Sequence, residues 1–381
     1  MYHKGTCAAL FAALLAISGI AGCGNTKDNA SVKQPSEMMD TAATEAVSTE
    51  DAFGGTETVE TDSTELASDT QAQEQIKYPE ITTDEKIKDY GTVITVGDSA
   101  YELYTYLDDV ADNYAKSINK VAENLEGKAD VYDLLIPLSS EITFPDNLKG
   151  EIKCSDQRQA MTSIQEKMGD KVKSVDIYDS LMEHRTEDIY FRTDHHWTAL
   201  GAYYAYEDFC EVSGKEVEPL EEREKVDFDG FLGSFYNDTK DAKLKANPDT
   251  VTAYKPKDKS IMHVTASDGM EYDWPVIYDV SDYGASLKYS TFIASDNPYT
   301  VIENKDLEDG SSCIVVKESF GNAFVPFLVD HYQTIYVIDY RYWTGSISEL
   351  AVEKKVSDVL FLNNLSMIRN KSLVGKLHRV V

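Results

Sequence analysis

The chain has 381 residues, with 67 Asp and Glu against 36 Lys and Arg and a formal net charge of −31. A surface this acidic argues against nucleic acid as a partner and against direct docking on anionic lipid. The length is sufficient for one large folded domain in addition to N-terminal segments.

The first residues have the layout of a signal peptide, which we predict over 1–22. Lys4 lies near the start, an apolar segment follows over 8–20, and a small-residue pair precedes Cys23. The apolar segment is too short for a membrane span. This layout resembles a bacterial lipoprotein signal, whose cysteine becomes the lipidated N-terminus. It predicts a lipid-anchored protein on the outer face of the bacterial cytoplasmic membrane; the alternative is a plain secretory signal with an incidental cysteine.

Residues 23–80 have the composition of a disordered tether. Residues 24–80 are rich in Ser, Thr and Ala and hold 13 Asp and Glu against three Lys. Such a segment buries too little apolar surface to offset its ordering entropy. About 57 residues of flexible chain reach roughly 40 Å. We therefore assign the folded domain to 81–381.

The first half of that domain alternates strand and helix patterns. An apolar run at 91–97 predicts a buried strand, and 100–125 a helix. The next strand is expected at 129–137, a helix at 155–168 and a short strand at 175–178. This alternation predicts an α/β fold with a mainly parallel sheet and helices on both faces.

A different pattern begins near residue 226. Short alternating runs mixed with Gly, Asp, Lys and Tyr indicate a β-rich insertion over about 226–304. The strand and helix rhythm then resumes in four segments: 312–316, 320–329, 334–339 and 359–362.

An acid and two imidazoles occur together at Asp194, His195 and His196. Acyl-transfer chemistry uses a carboxylate that orients an imidazole, which in turn takes a proton from a nucleophile. Residues two apart point the same way in an extended segment, so Asp194 and His196 should pair while His195 points oppositely. The alternative is an Asp194 that caps a helix beside two structural histidines.

Two serines compete as the nucleophile, each after a predicted strand and before a predicted helix. Ser319 is followed by Gly321 and Asn322, and free N–H groups at a helix start would hold an oxyanion. Asn322 is the side-chain candidate for that role. Ser99 is the alternative, since its Gly-Asp-Ser resembles the first block of ordinary SGNH esterases. We favour Ser319.

The string Tyr190-Phe-Arg-Thr-Asp-His-His-Trp-Thr-Ala-Leu-Gly-Ala-Tyr and the Glu-Ser-Phe-Gly-Asn block around Ser319 resemble the DHHW protein family. That family is similar to the SGNH-hydrolase-like domain of alginate O-acetyltransferase proteins. The resemblance implies an SGNH-like fold over the folded part and a catalytic Asp194, His196 and Ser319. It also implies work beside a membrane-bound O-acyltransferase. Glu318 departs from the family's usual aspartate.

These residues and the resemblance together predict an O-acyl transferase, with acetyl as the expected group, or an esterase acting on a cell-envelope polysaccharide. His195 and Trp197 are further substrate-binding candidates, and Arg192 and Arg341 would position an anionic glycan. No cofactor is expected, because the cysteines lack metal-ligand spacing. The alternatives are a non-catalytic glycan-binding lipoprotein and a metal-dependent hydrolase that uses the Asp-His-His motif.

Overall fold

The structure, a computed structural model, describes residues 77–257 and 260–381. The signal peptide predicted over 1–22 and the lipidation site Cys23 lie outside these residues. The tether predicted over 23–80 also lies outside them, except for its last four residues.

None of the helices in the described ranges is long and apolar enough to cross a membrane.

The described residues form strands of three to seven residues. They are β1 Ile87–Asp89, β2 Val93–Val96, β3 Ser99–Glu102, β4 Asp130–Ile136, β5 Val172–Val175, β6 Lys225–Phe231, β7 Asp249–Tyr254, β8 Ile261–Thr265, β9 Glu271–Trp274, β10 Tyr299–Glu303, β11 Ser312–Lys317, β12 Thr334–Asp339 and β13 Asp358–Asn364.

The α-helices alternate with the strands in the first and last parts of the domain. They are α1 Asp108–Asn124, α2 Ser139–Ile142, α3 Gln157–Gln165, α4 Tyr178–Glu183, α5 Ala199–Ser213, α6 Ser234–Thr239, α7 Ala242–Ala246, α8 Gly321–Leu328, α9 Ile347–Lys354, α10 Leu365–Ile368 and α11 Lys371–Val380.

The main sheet has eight strands in the order β5-β4-β13-β11-β12-β10-β8-β9. The first five strands in this order, β5, β4, β13, β11 and β12, are parallel to one another. Strands β10, β8 and β9 extend the sheet through antiparallel pairs. Every residue of β11 and β13 is buried, as expected for apolar strands covered on both faces. The predicted α/β class with a mainly parallel sheet is confirmed.

The β-rich stretch contributes to two sheets. Strands β8, β9 and β10 belong to the main sheet, whereas β6 and β7 form a separate antiparallel pair. A short 3-10 helix, Ala285–Thr291, lies between β9 and β10. This helix contacts β6 and β7, and it carries a residue of the candidate site.

The N-terminal part of the domain differs from its prediction. The strand expected at 91–97 is β2, which pairs with β1 and β3 in a small antiparallel sheet outside the main one. A two-residue turn joins β2 to β3, and Gly97 adopts a φ of 63° there. This turn geometry needs a positive φ at its first central position, which glycine adopts without strain. The helix expected from residue 100 begins only at Asp108, because 99–102 form β3.

Candidate active site

The carboxyl ends of three adjacent parallel strands meet at one edge of the main sheet. Ser319 comes two residues after β11, Arg341 two residues after β12, and Asn364 ends β13. The register places β11 between β12 and β13. Ligand sites of open α/β sheets lie at such carboxyl edges, and this edge holds the serine favoured from the sequence.

The Asp-His-His segment reaches the same edge as a tight loop. Tyr190 and Trp197 form an antiparallel bridge, and the Phe191 N–H donates to the His196 carbonyl at 3.2 Å. Thr198 then caps helix α5 by accepting the Gly201 N–H. The loop is therefore closed at its base by backbone hydrogen bonds.

Asp194, His196 and Ser319 form one hydrogen-bonded series. Asp194 Oδ1 lies 2.6 Å from His196 Nδ1, and His196 Nε2 lies 2.7 Å from Ser319 Oγ. An ionised carboxylate only accepts hydrogen bonds, so Nδ1 carries the proton and Nε2 of the neutral ring is free to accept the Ser319 hydroxyl. The structure thus brings together the three residues to which the sequence assigned catalytic roles.

The Asp194 carboxylate is held by backbone donors. The His196 N–H donates to Oδ1 at 3.0 Å, and the Ser234 N–H at the start of α6 donates to Oδ2 at 2.7 Å. Although burial opposes ionisation, the two adjacent imidazoles and these hydrogen bonds hold the pKa of Asp194 well below its usual range. The group is therefore an anion that fixes the His196 tautomer.

Gly233 permits this close approach. A Cβ atom at Gly233 would lie 2.2 Å from the Cβ and Oδ2 atoms of Asp194. Any other residue would displace the carboxylate or the start of α6. Gly233 and Ser234 were not predicted, because they lie 39 and 40 residues after Asp194 in a stretch without regular periodicity.

Asp249, the first residue of β7, anchors the loop from its other side. It accepts hydrogen bonds from the Thr193 N–H at 2.8 Å and from Thr193 Oγ1 at 2.7 Å. Asp249 also pairs with Arg192. A buried carboxylate that satisfies a loop backbone restricts its movement, so Asp249 positions the residue preceding Asp194.

Tyr289 touches both the imidazole and the nucleophile-bearing turn. Its ring stacks on His196 with centroids 4.1 Å apart and an interplanar angle of 12°, and its hydroxyl donates to the Ser319 carbonyl at 3.0 Å. Burial and the nearby Asp194 charge raise the pKa of the phenol well above its usual value. Tyr289 is therefore a neutral positioning residue that the sequence analysis missed.

His195 lies beside His196 rather than opposite to it. The ring centroids are 3.9 Å apart, and His195 Nδ1 lies 2.6 Å from Ser234 Oγ. The expectation of opposite directions is wrong because the segment is a loop and not an extended strand. Burial and the adjacent His196 lower the pKa of His195, which favours its neutral form.

A cavity of about 340 Å³ opens on Ser319, the predicted nucleophile. Its wall includes Ser319, His195 and Arg341 together with residues of the small sheet and of α10. Hydroxyl groups and carboxyl groups contribute much of that wall. The remaining lining residues are Thr92, Val93, Glu102, Ser234, Phe235, Asp238, Glu318, Asn364, Ser366 and Met367.

Glu318 has a larger structural role than its position before the nucleophile indicates. Its buried carboxyl accepts the Phe320 N–H and the Asn364 N–H, each at 3.1 Å, and Oε2 lies 3.4 Å from Ser319 Oγ. Glu318 therefore connects the turn that carries Ser319 to the end of β13. Burial raises the pKa of this carboxyl.

The oxyanion role predicted for Asn322 does not fit its surroundings. The side chain is buried, and Nδ2 donates to Asp296 at 3.0 Å. The first N–H groups of the α8 region are also engaged: Phe320 and Gly321 donate to Glu318 and Asn322 donates to Ser319. The tight turn after β11 uses these donors internally.

Two predicted substrate-binding residues lie away from the cavity. Trp197 is completely buried, and its indole N–H donates to the Phe320 carbonyl at 2.8 Å. It joins the starts of α5 and α8 and has no free face for a sugar. Arg192 pairs with Asp98 and Asp249 and lines another cavity. Arg341 does line the catalytic cavity.

Ser99 lies in the cavity that Arg192 lines, and no histidine of the described residues lines that cavity. It is the first residue of β3, within a hairpin, so the strand-to-helix setting predicted for it is wrong. The adjacent Ala100 N–H donates to the Arg192 carbonyl at 2.9 Å. The structure thus places Ser99 without the base that a serine nucleophile needs.

Asp194, His195 and His196 have donor atoms within 4.8 Å of one another, the grouping among the described residues that would suit a metal ion. These atoms already form hydrogen bonds: Asp194 with His196, His196 with Ser319, and His195 with Ser234. Metal binding would therefore require the series that reaches Ser319 to be broken.

A family model described as "DHHW protein" matches residues 43–338. This match confirms the family resemblance found in the sequence. Comparison with curated proteins found no match.

Solved structures resemble the chain over most of its length. A DHHW family protein from Eubacterium siraeum aligns with a TM-score of 0.70 and 28% identity, covering 79% of this chain and 99% of that one. Bacillus cereus PatB1 with a sulfonyl adduct aligns with a TM-score of 0.61 and 19% identity, covering 74% and 97%. The O-acetyltransferase domain of Pseudomonas putida AlgJ aligns with a TM-score of 0.40 and 11% identity, covering 77% of this chain and 97% of that one. This similarity is too low to establish a shared fold.

Proposed function

The chain belongs to the DHHW protein family, and on that premise we propose that it is an O-acyl transferase or esterase, with acetyl as the group transferred. The observation that carries this proposal is the hydrogen-bonded series from Asp194 through His196 to Ser319. This series has the geometry required to activate a serine hydroxyl. The substrate is a cell-envelope polysaccharide.

In the proposed mechanism, His196 Nε2 takes the Ser319 proton while Oγ attacks the carbonyl carbon of the acyl donor. The tetrahedral intermediate collapses, the leaving group takes the proton from Nε2, and the acyl group stays on Ser319 as an ester. A sugar hydroxyl then gives its proton to Nε2 and attacks the carbonyl carbon of this ester. The bond to Oγ breaks and Oγ takes the proton from Nε2, which restores the serine and the neutral imidazole. Water as the acceptor would make the same site an esterase.

Several features support a covalent serine intermediate. The serine follows a buried parallel strand, its base is oriented by a buried anion, and Tyr289 restrains both groups. The sulfonyl adduct on B. cereus PatB1 is consistent with a reactive nucleophile in this fold, since sulfonyl reagents modify activated nucleophiles.

The test of the nucleophile is an acyl-enzyme experiment with p-nitrophenyl acetate and a sulfonyl fluoride. We expect an acetyl group and a sulfonyl group on Ser319, found by mass spectrometry of peptides, and neither on the Ser319→Ala variant. Ser99→Ala is the matched control and should be labelled like the natural chain. Loss of labelling in Ser99→Ala with full labelling in Ser319→Ala would contradict the proposal.

Two further measurements separate this proposal from a metal-dependent hydrolase and from a non-catalytic glycan-binding lipoprotein. A metal-dependent hydrolase would lose ester hydrolysis with a strong chelator, whereas the serine mechanism should be insensitive to it. A non-catalytic glycan-binding lipoprotein would bind polysaccharide without forming any acyl-enzyme. Retained glycan binding in Ser319→Ala, with the acyl-enzyme lost, would favour the catalytic proposal.

We further propose that Cys23 is lipidated and that 23–76 is a tether holding the domain near the cytoplasmic membrane, outside the cytoplasm. The last residues of the tether predicted over 23–80 instead contact the domain, since Tyr78 donates to Asp179 and the Pro79 carbonyl accepts from Arg185. A membrane-bound O-acyltransferase would then supply the acyl group. Cys23→Ala should release the protein to the medium or leave an unprocessed precursor, because the anchor depends on that sulfur. Unchanged lipid labelling and membrane fractionation of this variant would contradict the anchor.

A further inference from the structure

The charged groups lining the catalytic cavity are mostly acidic. Glu102, Asp238 and Glu318 line it, and Arg341 is the sole Lys or Arg of the described residues that does so. A ligand bound beside Ser319 therefore meets more carboxyl groups than cationic groups.

Arg341 is already neutralised by two carboxylates. Its Nε and Nη2 atoms bond to Asp339 at 2.9 and 2.6 Å, and Nη2 lies 2.9 Å from Asp296 Oδ2. Lys317, which is buried beneath the nucleophile turn, pairs with the same two acids. Two cations and two anions thus balance within this group.

Glu102 is balanced in the same way by Arg369, with which it forms an ion pair, and Arg369 also donates to the Leu103 carbonyl. The lining acids that remain are Glu318 and Asp238. Asp238 is exposed on helix α6 at the cavity wall. The net charge facing a ligand is therefore negative or zero, because Arg341 and Arg369 are already paired with carboxylates.

The hydroxyl groups of the wall are suited to an uncharged sugar. Thr92, Ser234 and Ser366 line the cavity from three different segments; Ser234 also contacts His195, and Ser366 donates to Glu102. Hydroxyls both donate and accept hydrogen bonds, so they complement the hydroxyls of a sugar without requiring a charge on it.

We infer that the sugar entering this cavity is uncharged or bears an ammonium group, and that glycans with uronate or phosphate groups at this position are rejected. This inference rests on the proposed function and gives its substrate class. A carboxylate placed beside Asp238 meets a like charge on an exposed residue, a repulsion that is felt at low salt and screened as salt is added. The two arginines from which the sequence predicted an anionic glycan are already paired, Arg341 with Asp339 and Asp296, and Arg192 with Asp98 and Asp249.

The experiment compares three acceptors of equal length: glucosamine, N-acetylglucosamine and galacturonate oligosaccharides. Acetyl transfer from p-nitrophenyl acetate is measured by mass spectrometry of the products. We expect rates with the first two to exceed the rate with the uronate by about tenfold or more at low salt. The difference should shrink as salt is added. A uronate rate equal to or above the others would overturn the inference.

A charge-reversal variant tests the cause. Asp238→Lys should raise the uronate rate relative to the N-acetylglucosamine rate by about tenfold. The matched control is Asp268→Lys, which makes the same charge change in the turn between β8 and β9 and should leave the ratio unaltered. An unchanged ratio in Asp238→Lys, or an equal change in both variants, would overturn the inference.

Binding measurements keep the inference separate from the proposed function. Calorimetry of the same oligosaccharides with Ser319→Ala should give the same order of affinities, since it needs no chemistry. Release of p-nitrophenol without any acceptor reports the acyl-enzyme alone. Absent release with the expected order of affinities would refute the catalytic proposal only, whereas normal release with tightest binding of the uronate would refute this inference only.

Discussion

Two serines of this chain have similar sequence surroundings and very different places in the fold. Ser99 and Ser319 each follow an apolar strand pattern and precede a helical one. Ser99 begins the second strand of a hairpin, whereas Ser319 lies at the carboxyl edge of the main sheet within 2.7 Å of His196 Nε2. The comparison teaches that strand, serine and helix in order do not define a nucleophile; the imidazole beside the serine does.

The largest expected effect is the difference in ester hydrolysis between the variants that lack Ser319 and Ser99. Ser319→Ala and His196→Ala should each lower ester hydrolysis on the order of 10³-fold or more, and the double variant should lose little more, because the pair acts as a unit. Ser99→Ala should stay within about twofold, as for a residue outside the reacting groups.

Initial rates with p-nitrophenyl acetate measure these effects after circular dichroism has shown that each variant is folded. His195→Ala should cost less than His196→Ala, because His195 contacts Ser234 and not Ser319. Full activity in Ser319→Ala with none in Ser99→Ala would reverse the assignment.

A smaller effect is expected from adding one methyl group at the acid. Gly233→Ala should lower kcat by about 10- to 100-fold, since a Cβ 2.2 Å from Asp194 must move the carboxylate and a misplacement near 1 Å can cost about 10². Steady-state kinetics provide the measurement. A fully active variant would show that the Asp194 position is not critical.

Gly97→Ala is the matched change in the Ser99 hairpin. It should destabilise the fold by about 1 kcal/mol, because a non-glycine residue must adopt a φ near 63°. The kcat of the folded fraction should not change, and urea unfolding separates the two effects.

Tyr289 allows the stack on His196 to be separated from the hydrogen bond to Ser319. Tyr289→Phe keeps the ring, so it should lose only a fewfold in kcat. Tyr289→Leu removes the stack as well and should lose up to about tenfold more. Equal losses in both variants would mean that the ring contact contributes nothing to positioning the imidazole.

The smallest expected effect is a change in how stability depends on pH. The pKa of Asp194 is lower in the folded state than the ordinary value of 3.8 for an aspartate. Its contribution is therefore complete above about pH 5 and is lost as the pH falls below about 4. Between pH 7 and pH 3, the free energy of unfolding of Asp194→Asn should therefore fall by at least about 1 kcal/mol less than that of the natural chain.

Urea midpoints at pH 7, 4 and 3 provide this measurement. Asp98→Asn is the control from the Ser99 hairpin: its carboxylate forms a half-exposed pair with Arg192, which should contribute little. If the stability of Asp194→Asn depended on pH in the same way as that of the natural chain, this result would contradict the lowered pKa of Asp194.

Prediction from the sequence was most successful where a local pattern has one structural solution. Continuous apolar runs predicted β4, β11, β12 and β13, since only strands covered on both faces tolerate such runs. The run at 91–97 has the same composition but forms a hairpin strand in a small sheet. Periodicity does not report which strands pair, so this difference was not predictable.

The same limit applies to the site. Asp194, His196 and Ser319 were found because their motifs have a chemical meaning at short range. Tyr289 and Asp249 lie in a stretch without such a motif, and only the folded chain brings them to the loop. Trp197 illustrates the opposite error, because an aromatic residue beside a motif is as suitable for a core as for a ligand.

The sequence by itself determined the family, the α/β class, the acidic character and the candidates for the hydrogen-bonded series, with two serines among them. These properties depend on residue identity and on spacings of a few residues. Only the tertiary structure decided which serine meets the imidazole, which arginine faces the cavity and how its charge is balanced. Those outcomes depend on contacts between segments far apart in the chain, such as the 123 residues between His196 and Ser319. Such contacts follow from the packing of the whole sheet and its helices, which no local pattern encodes.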